Sequence, residues 1–360
     1  MKTAVLGHGV VGRSVCDLIT GSDNGIELKW ILEIPEKATE PLMTSDINDI
    51  LDDPEVEVVV DVLPAVHPSY DFMKAAILKK KHVVTSNKAA LCFGFKELMD
   101  LAMENGVYLR YEASCGGTIP NIAEAISLSE TNEILSVKGI MNGTTNYILY
   151  NIDKNGTEFD AALKEAQKLG YAERNPAADL SGYDVQNKIV ILSNTAYRGY
   201  TQFDIPVTGI EDVTKEILDE FKKDGKRIKL LGLSVRNGND YAMGVVPTVL
   251  GRDALESYVP MNFNMISFNA SNAGEIKLYG QGAGGVPTAD AVMRDVTALK
   301  QLKDEPYSRY FVNELNYKPE LLMGTGYYGN GITAEGSLEE LTAKAKAKGG
   351  FFAFEPKTAV

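Results

Sequence analysis

The stretch Gly7-His8-Gly9-Val10-Val11-Gly12 follows a short apolar run at residues 3–6 and precedes a helical pattern of apolar residues. A strand, this glycine motif and a helix in that order predict a dinucleotide-binding turn. Gly7 allows the tight turn, Gly9 lets the backbone approach a pyrophosphate, and Gly12 lets the helix pack on the strand. The motif alone would also suit an ordinary strand–helix turn. In this setting we predict that five residues bind the dinucleotide: Gly7, Gly9, Val10, Val11 and Gly12.

Strand and helix patterns alternate after this motif. Apolar runs predict strands at residues 27–34, 56–63, 82–85 and 107–111, with helices at 70–78 and 96–104. Alternating units of this length predict an α/β fold with an N-terminal, Rossmann-type doubly wound parallel sheet. Ligands of such sheets bind at the carboxyl ends of the strands, where Ser86 and Lys88 follow the strand at 82–85. A lone lysine after a strand also fits a surface loop.

An acidic residue at the end of the second strand bears on the choice of cofactor. In dinucleotide-binding folds, an acid roughly 20 residues after the glycines binds the adenine-ribose hydroxyls. Glu33 stands at that position, and Glu36 is a competing candidate. Close to this strand end in the sequence, Lys37 alone is placed to meet a 2′-phosphate. The pattern favours NAD and leaves NADP open.

The pattern of the chain changes near residue 130. Residues 157–169 predict a helix with Thr157 as its N-cap, and later residues predict strands at 227–235, 241–249, 261–268 and 275–279. This mixture predicts a second, α+β domain with a mostly antiparallel sheet. We place the first domain at residues 1–130 and the second at 131–286. Residues 303–360 receive no assignment beyond a helix at 338–348 that nearby phenylalanines dock.

The stretch 170–188 crowds three acids and one lysine together: Glu173, Asp179, Asp184 and Lys188. Its first half predicts a loop, because Asn175-Pro176 disfavours a helix. Its second half predicts a helix on which Asp184 and Lys188, four residues apart, share one face beside an apolar stripe. A lysine at the edge of a buried face is partly desolvated, which lowers its pKa. The same spacing also fits an ordinary acid–lysine pair on a solvated surface.

Two further segments are rich in glycine. Residues 112–120 contain Gly116-Gly117, whose exposed carbonyls could ring a cation or simply make a close-packed crossover. Residues 280–288 precede a helix, so Gly282 and its neighbours suit contact with a phosphate or nicotinamide, or a flexible hinge.

Composition excludes several classes of function. The formal charge of −13 argues against nucleic acid or an anionic membrane as partner, and no apolar run is long enough to span a bilayer. The N-terminus shows no secretory leader pattern, and the three cysteines are scattered. These features predict a cytoplasmic protein without a disulfide framework. The three histidines are also scattered and do not suggest a metal cluster.

Six segments, in the same order, resemble homoserine dehydrogenases. They are residues 7–12, 83–88 (Val-Val-Thr-Ser-Asn-Lys), 112–120 (Glu-Ala-Ser-Cys-Gly-Gly-Thr-Ile-Pro), 138–149 (Lys-Gly-Ile-Met-Asn-Gly-Thr-Thr-Asn-Tyr-Ile-Leu), 170–188 and 280–289. The resemblance covers about residues 1–300, and the segments at 138–149 and 170–188 are specific to this family among dehydrogenases. It implies reduction of L-aspartate 4-semialdehyde to L-homoserine with NADH or NADPH, on the route to threonine and methionine.

The resemblance also implies roles for individual residues. Lys188 resembles the family's proton donor, and Lys88 resembles its second catalytic lysine. Three acids resemble the groups that bind the amino-acid substrate: Glu173, Asp179 and Asp184. Four residues resemble a monovalent-cation (sodium) site: Glu112 with the carbonyls of Cys115, Gly117 and Ile119.

At the level of domains, the resemblance implies that residues 287–302 return to the first domain. It also implies that the second domain binds the substrate and forms a homodimer or a higher homo-oligomer. Two departures stand out: residues 61–68 lack the family's glycine-bearing turn, and the C-terminal portion does not show the regulatory domain of longer members. The alternatives are a dehydrogenase for a related semialdehyde and a non-catalytic dinucleotide-binding regulator.

Overall fold

The computed structural model describes residues 1–302 and 310–357. The described chain forms two compact units. The first comprises Met1–Ile122 and the segment Ala283–Val312, and the second comprises Ala123–Gly282 and the segment that starts at Asn313. Each unit is therefore built from two separate stretches of the chain.

A six-stranded parallel sheet forms the first unit, with strand order β3-β2-β1-β4-β5-β6. The strands are β1 Lys2–Leu6, β2 Glu27–Leu32, β3 Met43–Thr44, β4 Val58–Asp61, β5 His82–Thr85 and β6 Leu109–Arg110. The helices are α1 Val10–Thr20, α2 Ile47–Leu51, α3 Val66–Leu78, α4 Lys88–Glu104 and, after the second unit's first segment, α11 Gly285–Leu299. This order confirms the predicted doubly wound sheet, with its reversal point between β1 and β4.

Buried valines of the strands and apolar faces of two helices build the core of this unit. Val5, Val60 and Val84 are fully buried and pack with residues of α1 and α11. The close approach of α1 to β1 requires a glycine, because a Cβ on Gly12 would lie 2.0 Å from the carbonyl oxygen of Gly7. The sheet's carboxyl edge is thereby fixed beside the start of α1.

The second unit is a mixed sheet in the order β11-β10-β7-β8-β9-β15-β13-β14, with β12 paired to β9. Its strands are β7 Ile134–Ile140, β8 Arg227–Asn237, β9 Asp240–Leu250, β10 Phe263–Ala270, β11 Gly274–Gln281, β12 Asn316–Tyr317, β13 Met323–Tyr328, β14 Ile332–Ser337 and β15 Phe352–Pro356. The remaining helices are α5 Asn121–Thr131, α6 Gly143–Asn155, α7 Phe159–Lys168, α8 Ala177–Leu180, α9 Tyr183–Tyr197, α10 Lys215–Lys223 and α12 Leu338–Lys348. None of the helices within the described ranges is long and apolar enough to cross a membrane.

The segment after Asn313 extends this second sheet. Its helix α12 has the predicted bounds and begins with a capping box between Ser337 and Glu340. Phe352 and Phe354 are buried in the same apolar cluster as Leu341 of α12, which confirms that these aromatic residues dock the helix.

Three predicted helix starts were wrong, and one of them is α3, which begins at Val66 rather than residue 70. Helix α4 begins at Lys88 rather than residue 96, because the Asn87 side chain caps it by accepting from Ala90 N. Gly94 lies inside this helix; a Cβ there would meet the Tyr70 ring at 2.1 Å, so the glycine makes room for that ring. Helix α7 begins at Phe159, and Glu158 rather than Thr157 is its N-cap.

Candidate active site

Lys188 and Asp184 form a buried ion pair on helix α9. The Lys188 Nζ donates to Asp184 Oδ2 at 2.8 Å and to the carbonyl oxygen of Met141 at 2.7 Å. Both residues are less than a tenth exposed. The predicted shared helix face is confirmed, and the alternative of a solvated surface pair is wrong. A buried ammonium held by a carboxylate and a carbonyl is a costly arrangement, which proteins keep chiefly at functional sites.

Asn142, at the N-cap of α6, joins the two acids of this site. Its Nδ2 donates to Asp179 Oδ1 at 2.7 Å and to Asp184 Oδ2 at 2.8 Å, while its Oδ1 accepts from Thr145 N. The sequence patterns did not identify Asn142 as a site residue. An asparagine at an N-cap uses its oxygen for the cap, so its amide nitrogen is left to reach another group.

Asp179 approaches the same cluster from helix α8. Its Oδ2 accepts from Thr144 Oγ1 at 3.2 Å. Burial and the neighbouring charge of Asp184 raise the pKa of Asp179, and its hydrogen bond from Asn142 and the charge of Lys188 oppose that rise. In the second unit the Asn142 amide therefore links the carboxylates of Asp179 and Asp184, and the Lys188 ammonium pairs with Asp184.

Glu173 differs from the other predicted acids. It lies between α7 and α8, and its side chain is exposed. The described contacts bring Asp179, Asp184 and Lys188 together and do not bring Glu173 to them.

A cleft of about 980 Å³ in the first unit lies beside the glycine turn. Glu33, at its wall, accepts from His8 N at 3.2 Å and from Ile34 N at 3.0 Å, and these hydrogen bonds lower its pKa. Glu33 is therefore an ionised acceptor at the position where ribose hydroxyls bind in this fold. Glu36 and Lys37 line the same cleft.

Arg13 also lines this cleft, from the first turns of α1. Its Nε donates to the carbonyl oxygen of His8 at 3.1 Å. The sequence prediction considered Lys37 alone as a partner for a 2′-phosphate, because Arg13 is distant from the strand end along the chain. Residues of α1 and of β2 line the same cleft, and this places Arg13 near the end of β2 although the two are far apart in sequence.

The glycine turn itself leaves space for a ligand. Nothing lies within 4 Å of the position of a Cβ on Gly9, and Val10, the first residue of α1, is 76% exposed. The start of α1 thus presents backbone N–H groups to an open surface, as pyrophosphate binding requires. Beyond β5, Ser86 and the half-buried Lys88 follow at the same sheet edge.

The predicted cation loop is held from several sides. The buried Glu112 carboxylate accepts from Ile122 N at 2.9 Å. The carbonyl oxygens of Cys115 and Ile119 each accept from Asn121, whose own Oδ1 is buried without a hydrogen-bond partner. These hard oxygen donors fit a small cation. The described residues contain no cluster of three or more metal-binding side chains, so such a site would rest on backbone carbonyls.

Gly282, predicted to contact the cofactor, lies just after β11. A Cβ there would meet the Asn264 amide at 2.0 Å, so packing against Asn264 within the second unit requires a glycine at this position.

Both halves of the sequence match models of one family. A model described as homoserine dehydrogenase matches residues 120–297, and one described as the homoserine dehydrogenase NAD-binding domain matches residues 7–112. The chain belongs to the homoserine dehydrogenase family. A homoserine dehydrogenase of Methanocaldococcus jannaschii is 38% identical, over 76% of this chain and 83% of that protein. The homoserine dehydrogenase of Bacillus subtilis is 32% identical, over 83% of this chain and 72% of that protein.

A solved homoserine dehydrogenase from Thiobacillus denitrificans has the same architecture. Its TM-score to this chain is 0.85, with 30% identity, and the match covers 91% of this chain and 81% of that one. As a homoserine dehydrogenase, the chain catalyses the reversible, NAD(P)-dependent reduction of L-aspartate 4-semialdehyde to L-homoserine in amino-acid biosynthesis.

Proposed function

We propose that Lys188 donates the proton that the substrate's carbonyl oxygen needs as that oxygen becomes an alkoxide. The observation that supports this most strongly is the buried Lys188 Nζ, fixed by Asp184 and the Met141 carbonyl oxygen. When bound, the nicotinamide cofactor supplies the hydride. A desolvated ammonium both stabilises the developing oxyanion and gives it a proton.

The carboxylates beside Lys188 suit the substrate's own ammonium group. Asp179 and Asp184 both accept from one amide donor, Asn142, which fixes their positions beside Lys188. We assign substrate binding to Asp179, Asp184 and Glu173; the exposed Glu173 side chain would have to turn toward the substrate. The second domain, proposed at residues 131–286, thus binds the substrate.

Lys88 is proposed as the second catalytic lysine. It is the first residue of α4 and follows β5, so it stands at the carboxyl edge of the nucleotide-binding sheet. A cationic group at that edge would stabilise negative charge that develops on the substrate.

For the cofactor, we propose that Glu33 binds the adenine-ribose hydroxyls of NAD, with the glycine turn, Ser86 and Gly282 as further contacts. The ionised Glu33 repels a 2′-phosphate, whereas Arg13 and Lys37 in the same cleft favour one. Initial rates with NADH and with NADPH decide between the two cofactors.

A monovalent cation, sodium, is proposed at Glu112 with the carbonyls of Cys115, Gly117 and Ile119. The buried Asn121 Oδ1, which lacks a partner, supports an oxygen-lined site in this loop. A dependence of the unfolding temperature on NaCl against choline chloride at equal ionic strength would test it.

We further propose a cytoplasmic homodimer. None of the three cysteines, all within the described residues, forms a disulfide, which suits a reducing compartment. Tyr279 on the edge strand β11 is half exposed, and Leu255 and Tyr258, between β9 and β10, are more than half exposed. Exposed apolar residues beside a sheet edge favour pairing with a second copy. Sedimentation equilibrium measures the oligomeric state.

Replacement of Lys188 tests the central proposal. Lys188→Ala should lower kcat for aspartate semialdehyde by two orders of magnitude or more, because proton transfer by a positioned group contributes roughly 10²–10⁴-fold. Binding of NADH, followed by fluorescence, should persist. Normal turnover in Lys188→Ala would remove this residue from the mechanism. A screen of related semialdehydes with the wild type measures substrate preference.

A further inference from the structure

Asp61 ends strand β4 at the point where the strand order of the first sheet reverses. Strand pairing places it between Leu6 of β1 and Thr85 of β5. Open parallel sheets bind their ligands beside this reversal point. Asp61 is nevertheless completely buried, so it cannot itself touch a ligand.

The Asp61 carboxylate accepts three hydrogen bonds. Its Oδ2 accepts from Ser69 Oγ at 2.6 Å and from Thr85 Oγ1 at 2.8 Å, and its Oδ1 accepts from Leu63 N at 3.3 Å. Three donors converge on one carboxyl group, and an ionised carboxylate accepts at both of its oxygens. An amide in this place would set its own N–H donors against one of these donors.

Thr85 connects the Asp61 carboxylate to the start of α4 by hydrogen bonds. Its Oγ1 also accepts from Asn87 N at 2.9 Å. Asn87 then caps α4 through its Oδ1 and donates from its Nδ2 to the carbonyl oxygens of Leu63 and Ala65, at 2.8 and 2.7 Å. Because Leu63 N returns to Asp61, the four residues close a circuit: Asp61, Thr85, Asn87 and Leu63.

The circuit connects two functional elements of the first unit. Lys88 directly follows Asn87 and is the first residue of the capped helix. On the other side, a Cβ on Gly7 would lie 3.1 Å from Leu63 Cδ2 and 3.5 Å from the Val62 carbonyl oxygen, so the loop after β4 lies against the glycine turn. A shift of Leu63 would therefore change the position of both the glycine turn and the start of α4.

The buried charge is expensive, since burial raises the pKa of Asp61 to about 6. At neutral pH the group is still ionised, and the folded protein bears that cost. A buried charge that is kept at such a cost is typical of a functional site.

We propose that Asp61 is a positioning residue for the reduction, fixing Lys88 through Thr85 and Asn87 at the start of α4. This inference rests on the proposed role of Lys88. It also explains how residues 61–68 hold their shape without the glycine-bearing turn expected from the family resemblance.

Two pairs of variants test the proposal. Asp61→Asn keeps the shape of the side chain, and Thr85→Val breaks the link to Asn87; each should lower kcat about tenfold to hundredfold, since small misplacements of catalytic groups have costs of that size. KM for NADH should change less than threefold. Thr85→Ser restores the hydroxyl and should recover most of the loss. Ser69→Ala is the matched control: it removes a donor to the same Oδ2 but lies outside the circuit, so kcat should stay within threefold.

Thermal unfolding separates positioning from a merely structural role. Asp61→Asn should unfold within a few degrees of the wild type at pH 7.5, because it removes a buried charge as well as hydrogen bonds. Wild-type kcat in Asp61→Asn, an equal loss in Ser69→Ala, or a loss that follows the unfolding temperature would overturn the inference. A wild type that does not oxidise NADH or NADPH with aspartate semialdehyde would instead overturn the proposed function, and this inference with it.

Discussion

Replacing Asn142 by serine would isolate the bridge between the two substrate-site carboxylates. Serine is as good an N-cap as asparagine, so its hydroxyl can still accept from Thr145 N and helix α6 keeps its start. The hydroxyl is too short to replace the amide nitrogen that donates to Asp179 at 2.7 Å and to Asp184 at 2.8 Å. The change therefore removes two hydrogen bonds to charged groups and little else.

The size of the effect follows from those two bonds. A hydrogen bond to a charged group contributes about 1.5–3 kcal/mol. Lys188 and Thr144 retain their contacts with the two acids and compensate for part of the loss. We expect a net loss of about 1.5–3 kcal/mol in transition-state stabilisation, which corresponds to roughly a 10- to 150-fold fall in kcat/KM.

The pH profile gives a second, independent sign. Burial and the charge of Asp184 raise the pKa of Asp179, and the Asn142 hydrogen bond opposes that rise. Without this donor the pKa rises further, so the acid limb of kcat/KM should move to higher pH. Initial rates from pH 5.5 to 8.5 measure both effects, and urea unfolding measures separately how much stability the same two hydrogen bonds contribute. An unchanged kcat/KM with an unmoved acid limb would refute the bridging role of Asn142.

Two further predictions concern the cofactor and a second buried lysine. Glu33→Gln should raise kcat/KM for NADPH relative to NADH by about tenfold, because it removes a carboxylate that repels a 2′-phosphate; an unchanged ratio would contradict that role. Burial lowers the pKa of Lys229 to about 7. Between that pH and the ordinary lysine pKa, the unfolded chain binds a proton that the folded chain lacks, so this group makes unfolding free energy rise with pH. The rise is at most about 1.4 kcal/mol per pH unit, and Lys229→Met should lack it in urea unfolding at pH 7 and 9.

Local patterns were sufficient to predict five of the six strands of the first sheet and their parallel order; the two-residue strand β3 was not predicted. A glycine turn after an apolar run and alternating strands of the right length leave few other topologies. Helix α4 was predicted only from residue 96, whereas Gly94 lies inside the observed helix. Only the packing of Tyr70 against that glycine shows why it lies within a helix.

The site was predictable where the residues are neighbours in sequence. Asp184 and Lys188 are four residues apart, and their contact follows from helix geometry alone. Asn142 and Arg13 were missed because their places depend on contacts between distant segments. The same holds for the Asp61 circuit, which joins two loops that no sequence spacing relates.

The position of α11 has a consequence for how the polypeptide folds as it is made. This helix packs among Val5, Val15 and Val60 of the N-terminal core, yet it is encoded after the whole of Ala123–Gly282. A nascent chain that ends at β6 therefore lacks the helix that packs on these valines, and their side chains are exposed to solvent. The first unit therefore completes its core only after the first segment of the second unit has been synthesised. A chain released from the ribosome before Gly285 would be an aggregation-prone fragment and not a folded nucleotide-binding unit.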